Sequence, residues 1–126
     1  MTEQQFEKHV DERIEKIHHV LQIKAKEYRK NDNPFHNFDR AAAMSNCTPE
    51  RALMGMLAKH QISVLDLVDD IDSGKMPSRE LVDEKIGDHI NYLILLEGLI
   101  YRRLSEYLAN VDEIGFVDQL QNTTTT

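Results

Sequence analysis

Apolar side chains recur at steps of three and four along most of the chain, the period of an α-helix with one face in a core. Over residues 2–29, Phe6, Val10, Ile14, Ile17, Leu21, Ala25 and Tyr28 fall on one such stripe and predict a first long helix. It should end in Lys30-Asn31-Asp32-Asn33-Pro34, because Asn and Asp favour turns and the residue before a proline is pushed out of the helical region. Phe38 and the run Ala41-Ala42-Ala43-Met44 predict a short helix over 35–46.

Thr48-Pro49-Glu50 then reads as a helix start: Thr caps free amides, Pro fits the first helical position, and Glu suits the positive end of the dipole. The second long helix runs to about Asp72 with a stripe of Leu53, Met56, Leu57, Val64, Leu67, Val68 and Ile71. Ser73-Gly74 gives the stop, since glycine adopts the left-handed conformation freely, and Pro77-Ser78 restarts the chain with a cap. A third long helix is expected over 79–109. Its segment from Ile90 to Ile100, with Tyr92, Leu93, Ile94, Leu95, Leu96 and Leu99, is apolar around nearly the whole circumference. A helix apolar all round is expected to be buried all round. One small protomer hardly supplies that cover, so a homodimer or homotetramer is expected.

The fold class expected is therefore all-α: a bundle of three long helices plus short ones, with residues 1–110 forming one domain. Residues 111–126 are expected to form an arm, in which Val111, Ile114, Phe116, Val117 and Leu120 dock and the final threonines are mobile. The 5 Gly and 3 Pro among 126 residues leave little material for a turn-rich β architecture.

Charge narrows the partners. With 22 acidic and 15 basic side chains the formal charge is -7, which disfavours duplex nucleic acid over most of the surface but leaves room for a local cationic pocket. The lone Cys47 excludes an intrachain disulfide. Residues 1–10 lack the apolar core of a signal peptide, and no run approaches the ~18 apolar residues of a membrane span, so a cytoplasmic protein without a membrane partner is expected.

Three clusters carry candidate chemistry. In Glu84-Lys85-Ile86-Gly87-Asp88-His89-Ile90-Asn91-Tyr92, the side chains of Glu84, Asp88 and Asn91 share a helix face and prolong the stripe of Leu81, Leu95 and Leu99. Carboxylates in that position either stay solvated at the end of the bundle or meet a cation, and hard oxygen ligands suit magnesium holding a phosphate. On the second helix Lys59, His60 and Ser63 interrupt apolar sequence; Lys59 and His60 either contact phosphate or snorkel to water. Between the first two helices Lys24, Glu27, Tyr28, Arg29, Asn33, Phe35, His36, Asn37 and Arg40 concentrate aromatic, amide and cationic groups able to stack on a base and read its edge, with Phe38 better placed for core packing. Glu15-Lys16-Ile17-His18 is one half of the Glu-x-x-His pattern of di-iron bundles, but no second copy exists. Walker, nucleophile-elbow, zincin and dinucleotide fingerprints are absent from the sequence.

Lys24 to Phe38, Thr48-Pro49 leading a helix with Lys59, and Glu84 through Asp88-x-x-Asn91-Tyr92 together resemble the MazG-like all-α nucleotide pyrophosphohydrolases. Within them, the likeness is to the phage-type nucleotide-modification-associated branch, over about residues 20–100. The resemblance implies an oligomeric four-helix bundle, a nucleoside triphosphate bound between subunits, and magnesium on helix carboxylates, here Glu84 and Asp88. It implies Lys24, Tyr28, Phe35, His36, Asn37, Lys59, His60 and Asn91 as nucleotide contacts. The chain departs from the pattern where Lys59 and His60 replace a paired-Glu motif and where Lys85 stands in place of a Glu. The expected activity is hydrolysis of a deoxynucleoside triphosphate; the alternative is a sponge that sequesters a host defence nucleotide in the host cytoplasm without turnover.

Overall fold

The computed structural model describes residues 1–124 other than 28 and 31, with side chains placed as far as 113 except at 27. Among the described residues the chain forms four α-helices and no strand: α1 (Glu3–His18), α2 (His36–Ser45), α3 (Pro49–Asp72) and α4 (Arg79–Thr124). None is long and apolar enough to cross a membrane.

Local chemistry sets most boundaries. At the start of α1 the Gln5 amide donates to Thr2 Oγ1 (3.1 Å) and the Thr2 amide to Gln5 Oε1 (2.8 Å), a reciprocal cap. Thr48 Oγ1 accepts from the Arg51 amide and Ser78 Oγ from the Leu81 amide, both at 3.1 Å, which starts α3 and α4 where the sequence places them. Gly74 takes φ +88° just beyond α3, and Asn46 takes φ 52° as the left-handed cap of α2.

The first helix departs from expectation. It does not stay α-helical to residue 29: a π-helical turn (His19–Ile23) and a 3-10 turn (Lys24–Glu27) follow α1. Arg29 Nη2 donates to the Leu21 carbonyl at 2.8 Å and ties this irregular segment back on itself. The stripe on α1 is not buried either, with Phe6 and Ile14 still 55% and 59% exposed. What holds α1 is charge: Arg13 Nη2 and Lys16 Nζ both donate to Asp83 Oδ1 of α4, at 2.5 and 2.9 Å. Gly87 makes that approach possible, since a Cβ there would stand 2.7 Å from Arg13 Nη1.

The core lies between α2, α3 and the middle of α4. Phe38, Leu53, Leu57 and Leu99 are buried together, with Phe35, Met56, Tyr92, Leu95 and Leu96 packed around them. Leu53 and Leu99 have no exposed surface. On the flank, Asp39 of α2 accepts from Arg102 Nη2 (2.7 Å) and Nη1 (3.2 Å) of α4 and from Asn33 Nδ2 (2.9 Å). Arg102 lies over the Phe35 ring, 5.1 Å from its centroid.

α4 also departs from expectation. Its backbone continues as helix past 109 to Thr124, so the segment expected as an arm is helical over 111–124 and continuous with α4. At ~1.5 Å per residue its 46 residues reach about 69 Å, against about 36 Å for the 24 residues of α3. The expected docking of Ile114, Phe116, Val117 and Leu120 and the mobility of 123–126 lie outside the described side chains. Burial all round α4 is not met within one chain: Leu99 is buried, whereas Leu93, Ile94, Ile100 and Leu104 are exposed.

Candidate functional site

Two hollows meet along α4. The first, about 240 Å³, lies between the irregular segment after α1, the start of α2, and α4. Its walls are apolar at Leu21, Ala25, Phe38, Tyr92 and Leu95 and polar at Arg29, His36, Asn37, Asp88 and Asn91. The second, about 510 Å³, is a groove between α1 and α4 in which Arg13, Lys16 and His19 stand among the carboxylates of Glu12, Glu15, Asp83, Glu84 and Asp88. Asp88 and Asn91 line both. They hold that place because Glu84, Asp88 and Asn91 stand at steps of four and three on one face of α4.

The electrostatics differ from one carboxylate to the next. The Lys16 hydrogen bond holds Asp83 below its ordinary carboxylate pKa, against desolvation and with help from Arg13. Asp83 is thus occupied. Glu84 and Asp88 are freer, since Lys85 Nζ stands 3.9 Å from Glu84 Oε1 and His60 Nδ1 3.9 Å from Asp88 Oδ2, beyond hydrogen-bond reach. His60 is positioned by its ring, which lies against Tyr92 with centroids 4.4 Å apart.

Asn91 is the buried member, with 9% of its surface exposed. Its Oδ1 and the Nε of Arg29 are buried without a hydrogen-bond partner among the described residues. Both residues line the 240 Å³ cavity, although these two atoms themselves are enclosed.

No protein-family model, curated protein or solved structure matches this chain. Function has to be read from the site itself.

Of the residues singled out in the sequence, Glu84, Asp88, Asn91, His36 and Asn37 line the two hollows, and His60 reaches Asp88 from the α3 side. Lys24 and Lys59 are exposed and line neither hollow. Phe35 is turned away, its ring edge against Gly98 and its face under Arg102, so it packs beside the core as Phe38 does within it. Tyr28 lies outside the described residues. Sequence reasoning missed Arg13, Lys16 and His19 in the groove, whereas Arg29, named with the loop cluster, does line the first hollow. A signal for Arg13 existed: it sits three residues after Val10 and four before Ile17, so it interrupts the apolar stripe of α1.

Glu84 and Asp88 offer oxygen ligands of the kind magnesium prefers, and neither carboxylate is consumed by a hydrogen bond to a cation. Among the described residues no group of three or more His, Cys, Asp or Glu side chains converges.

Proposed function

We propose that the chain is a phage-type nucleotide-binding protein that takes a nucleoside triphosphate across the wall formed by Asp88 and Asn91. The observation carrying this reading is that these two residues border both the largely apolar cavity and the charged groove. A nucleotide has that same division, with a planar, weakly polar base at one end and a polyanion at the other. In this arrangement the base occupies the cavity beside Tyr92 and Asn91, and the phosphates lie in the groove. Arg13 and Lys16, both hydrogen-bonded to Asp83, are the cations of that groove, and the carboxylates around them require a phosphate chain to enter with a divalent cation. Glu84 and Asp88 are the residues that would hold magnesium, whose charge would offset that of the phosphates.

The resemblance to MazG-like enzymes adds the reaction class, release of pyrophosphate from a deoxynucleoside triphosphate, and the homo-oligomeric bundle. Exposed Phe6, Val10 and Ile14 on α1 and Leu93, Ile100 and Leu104 on α4 support the assembly, since a chain of this size seldom leaves so many large apolar groups uncovered. A second reading, retention without turnover in the host cytoplasm, is favoured by the neighbour Asp88 has: α3 brings His60 to it, where the family pattern would bring carboxylates.

Incubating the protein with the four deoxynucleoside triphosphates and magnesium, and following products by chromatography, separates these readings. Turnover that Asp88→Ala abolishes supports hydrolysis. Tight binding that survives EDTA and returns the ligand intact supports retention. If neither turnover nor binding of any nucleotide is seen, the nucleotide reading is wrong.

A further inference from the structure

α4 is apolar on two opposite faces. One meets the core through Tyr92, Leu95, Leu96 and Leu99. On the other, Leu93, Ile100 and Tyr107 recur at steps of seven, as do Leu104 and Val111 beside them and Ile94, Tyr101 and Leu108 on the flank. All eight are between 38% and 62% exposed. Together they leave on the order of 800 Å² of surface uncovered, more than the roughly 300–600 Å² of the largest apolar patch on a typical monomer and about what one partner contributes to a stable interface.

Cover from within the chain ends early on this helix. Arg103 Nη2 donates to Glu50 in the first turn of α3 (3.0 Å), so α4 runs on past the start of α3. Every residue from Leu104 to Glu113 is exposed. Helices take most of their stability from packing an amphipathic face, and this stretch has no such packing among the described residues.

The seam along the middle of the face is self-complementary. Leu93, Glu97, Ile100, Leu104, Tyr107 and Val111 alternate at steps of four and three, the spacing of a helix-to-helix seam, and only Glu97 among them is charged. If a second α4 lies antiparallel with the two-fold axis at residue 102, Leu93 meets Val111 and Ile100 meets Leu104. Glu97 then meets Tyr107, whose hydroxyl can donate to the carboxylate. A parallel pair would set the two Glu97 carboxylates against each other.

We infer that this face of α4 docks a second copy of the chain, as an antiparallel helix pair centred on residue 102. The inference rests on the homo-oligomer reading above, to which it adds the face, the direction and the register, and it is independent of the nucleotide. The same register carries the backbone of residues 111–124 of the second copy toward residues 80–93, the stretch of α4 that meets α1.

Sedimentation velocity and disulfide trapping on the full chain test this. Wild type should sediment as a dimer or a multiple of one. Leu104→Glu should keep its helical circular dichroism but raise the dissociation constant at least about 30-fold, since each dimer loses two leucines from the seam. For trapping, Leu93→Cys and Val111→Cys are made separately in a Cys47→Ala chain, because Cys47 is exposed. Mixed in reductant and then oxidised, the two variants should cross-link to each other and neither to itself. Self-cross-linking of either variant, no mixed cross-link, or assembly that Leu104→Glu leaves intact overturns the inference but leaves the homo-oligomer reading standing. Wild type that is monomeric at every protein concentration removes both.

Discussion

Two glycines in helix interiors, Gly55 of α3 and Gly98 of α4, should respond to the same substitution with opposite signs. Alanine in a helix interior is favoured over glycine by about 0.8–1 kcal/mol. At Gly55 a Cβ meets nothing within 4 Å, so Gly55→Ala should stabilise by close to that full amount. At Gly98 the Cβ would lie 2.8 Å from Phe35 Cζ and 3.2 Å from Cε1. That ring has little freedom to retreat: Arg102 covers its face and is itself fixed by two hydrogen bonds to Asp39. Overpacking of this kind costs about 1–3 kcal/mol, so the net effect of Gly98→Ala is a loss of up to about 2 kcal/mol. For a chain of this length each kcal/mol moves the melting temperature by about 3–5 °C. The pair should therefore separate by several degrees in thermal unfolding followed by helical circular dichroism. Protomer concentration must be held constant, because association makes melting concentration-dependent. Gly98→Ala with Phe35→Leu should recover part of the loss. If Gly98→Ala stabilises as much as Gly55→Ala, the account of Phe35 as a ring wedged against α4 is refuted.

Leu99, which has no exposed surface, should lose about 2–5 kcal/mol as Leu99→Ala, read as a fall in the urea midpoint. Asp39 is held below its ordinary pKa chiefly by the Arg102 hydrogen bond, so its contribution to stability is present above the unfolded value of about 3.9 and is lost as pH falls through the lower folded value. The melting-temperature gap between wild type and Asp39→Asn should accordingly be flat above about pH 5 and close below pH 4; a gap that widens on acidification contradicts the pairing. Its size stays small because both partners are about one-third exposed. Asp83→Asn should loosen α1 before the rest of the chain, seen as faster amide exchange within residues 3–18 under conditions where α3 and α4 remain protected.

Features decided by neighbours in sequence were legible. Thr48 and Ser78 cap helices, and Gly74 ends one, because each acts within a few residues of itself. The face shared by Glu84, Asp88 and Asn91 was legible for the same reason, helical spacing being a local property. The π-helical turn after α1 was not, because the spacing of four between Ile17, Leu21 and Ala25 is equally compatible with an unbroken helix. The length of α4 was misjudged at Asn110, which stops a helix only when the chain turns there. Lys59 and His60 illustrate a further limit: adjacent residues point about 100° apart on a helix, so only His60 faces Asp88. Phe35 and Phe38 were separable only with tertiary contacts in hand, since the ring that packs on Gly98 and the ring in the core are three residues apart in the same turn of sequence.

The groove depends on α1, and α1 is weakly held within one chain. It is a 16-residue helix with no buried residue, near the length at which isolated helices are marginal in water. Its ties to Asp83 involve partly exposed groups, and such pairs contribute about 0–1 kcal/mol each. Fully burying an apolar side chain of this size contributes about 1.5–3 kcal/mol; Phe6, Val10 and Ile14 are 55%, 39% and 59% exposed, so roughly half of that, about 1 kcal/mol each, remains for cover on this stripe to add, at least as much as the charge contacts give. The proposed second copy is the occupant that would provide it, and then the groove between α1 and α4 is complete only in the assembly. Ile14→Glu, at a position 59% exposed in the single chain, should cost little if α1 is free but should shift sedimentation toward the monomer if α1 is covered. The same substitution should weaken triphosphate binding in proportion to the monomer formed, although Ile14 borders neither hollow. An unchanged sedimentation coefficient and unchanged affinity would show that α1 closes the groove by its own charge contacts alone.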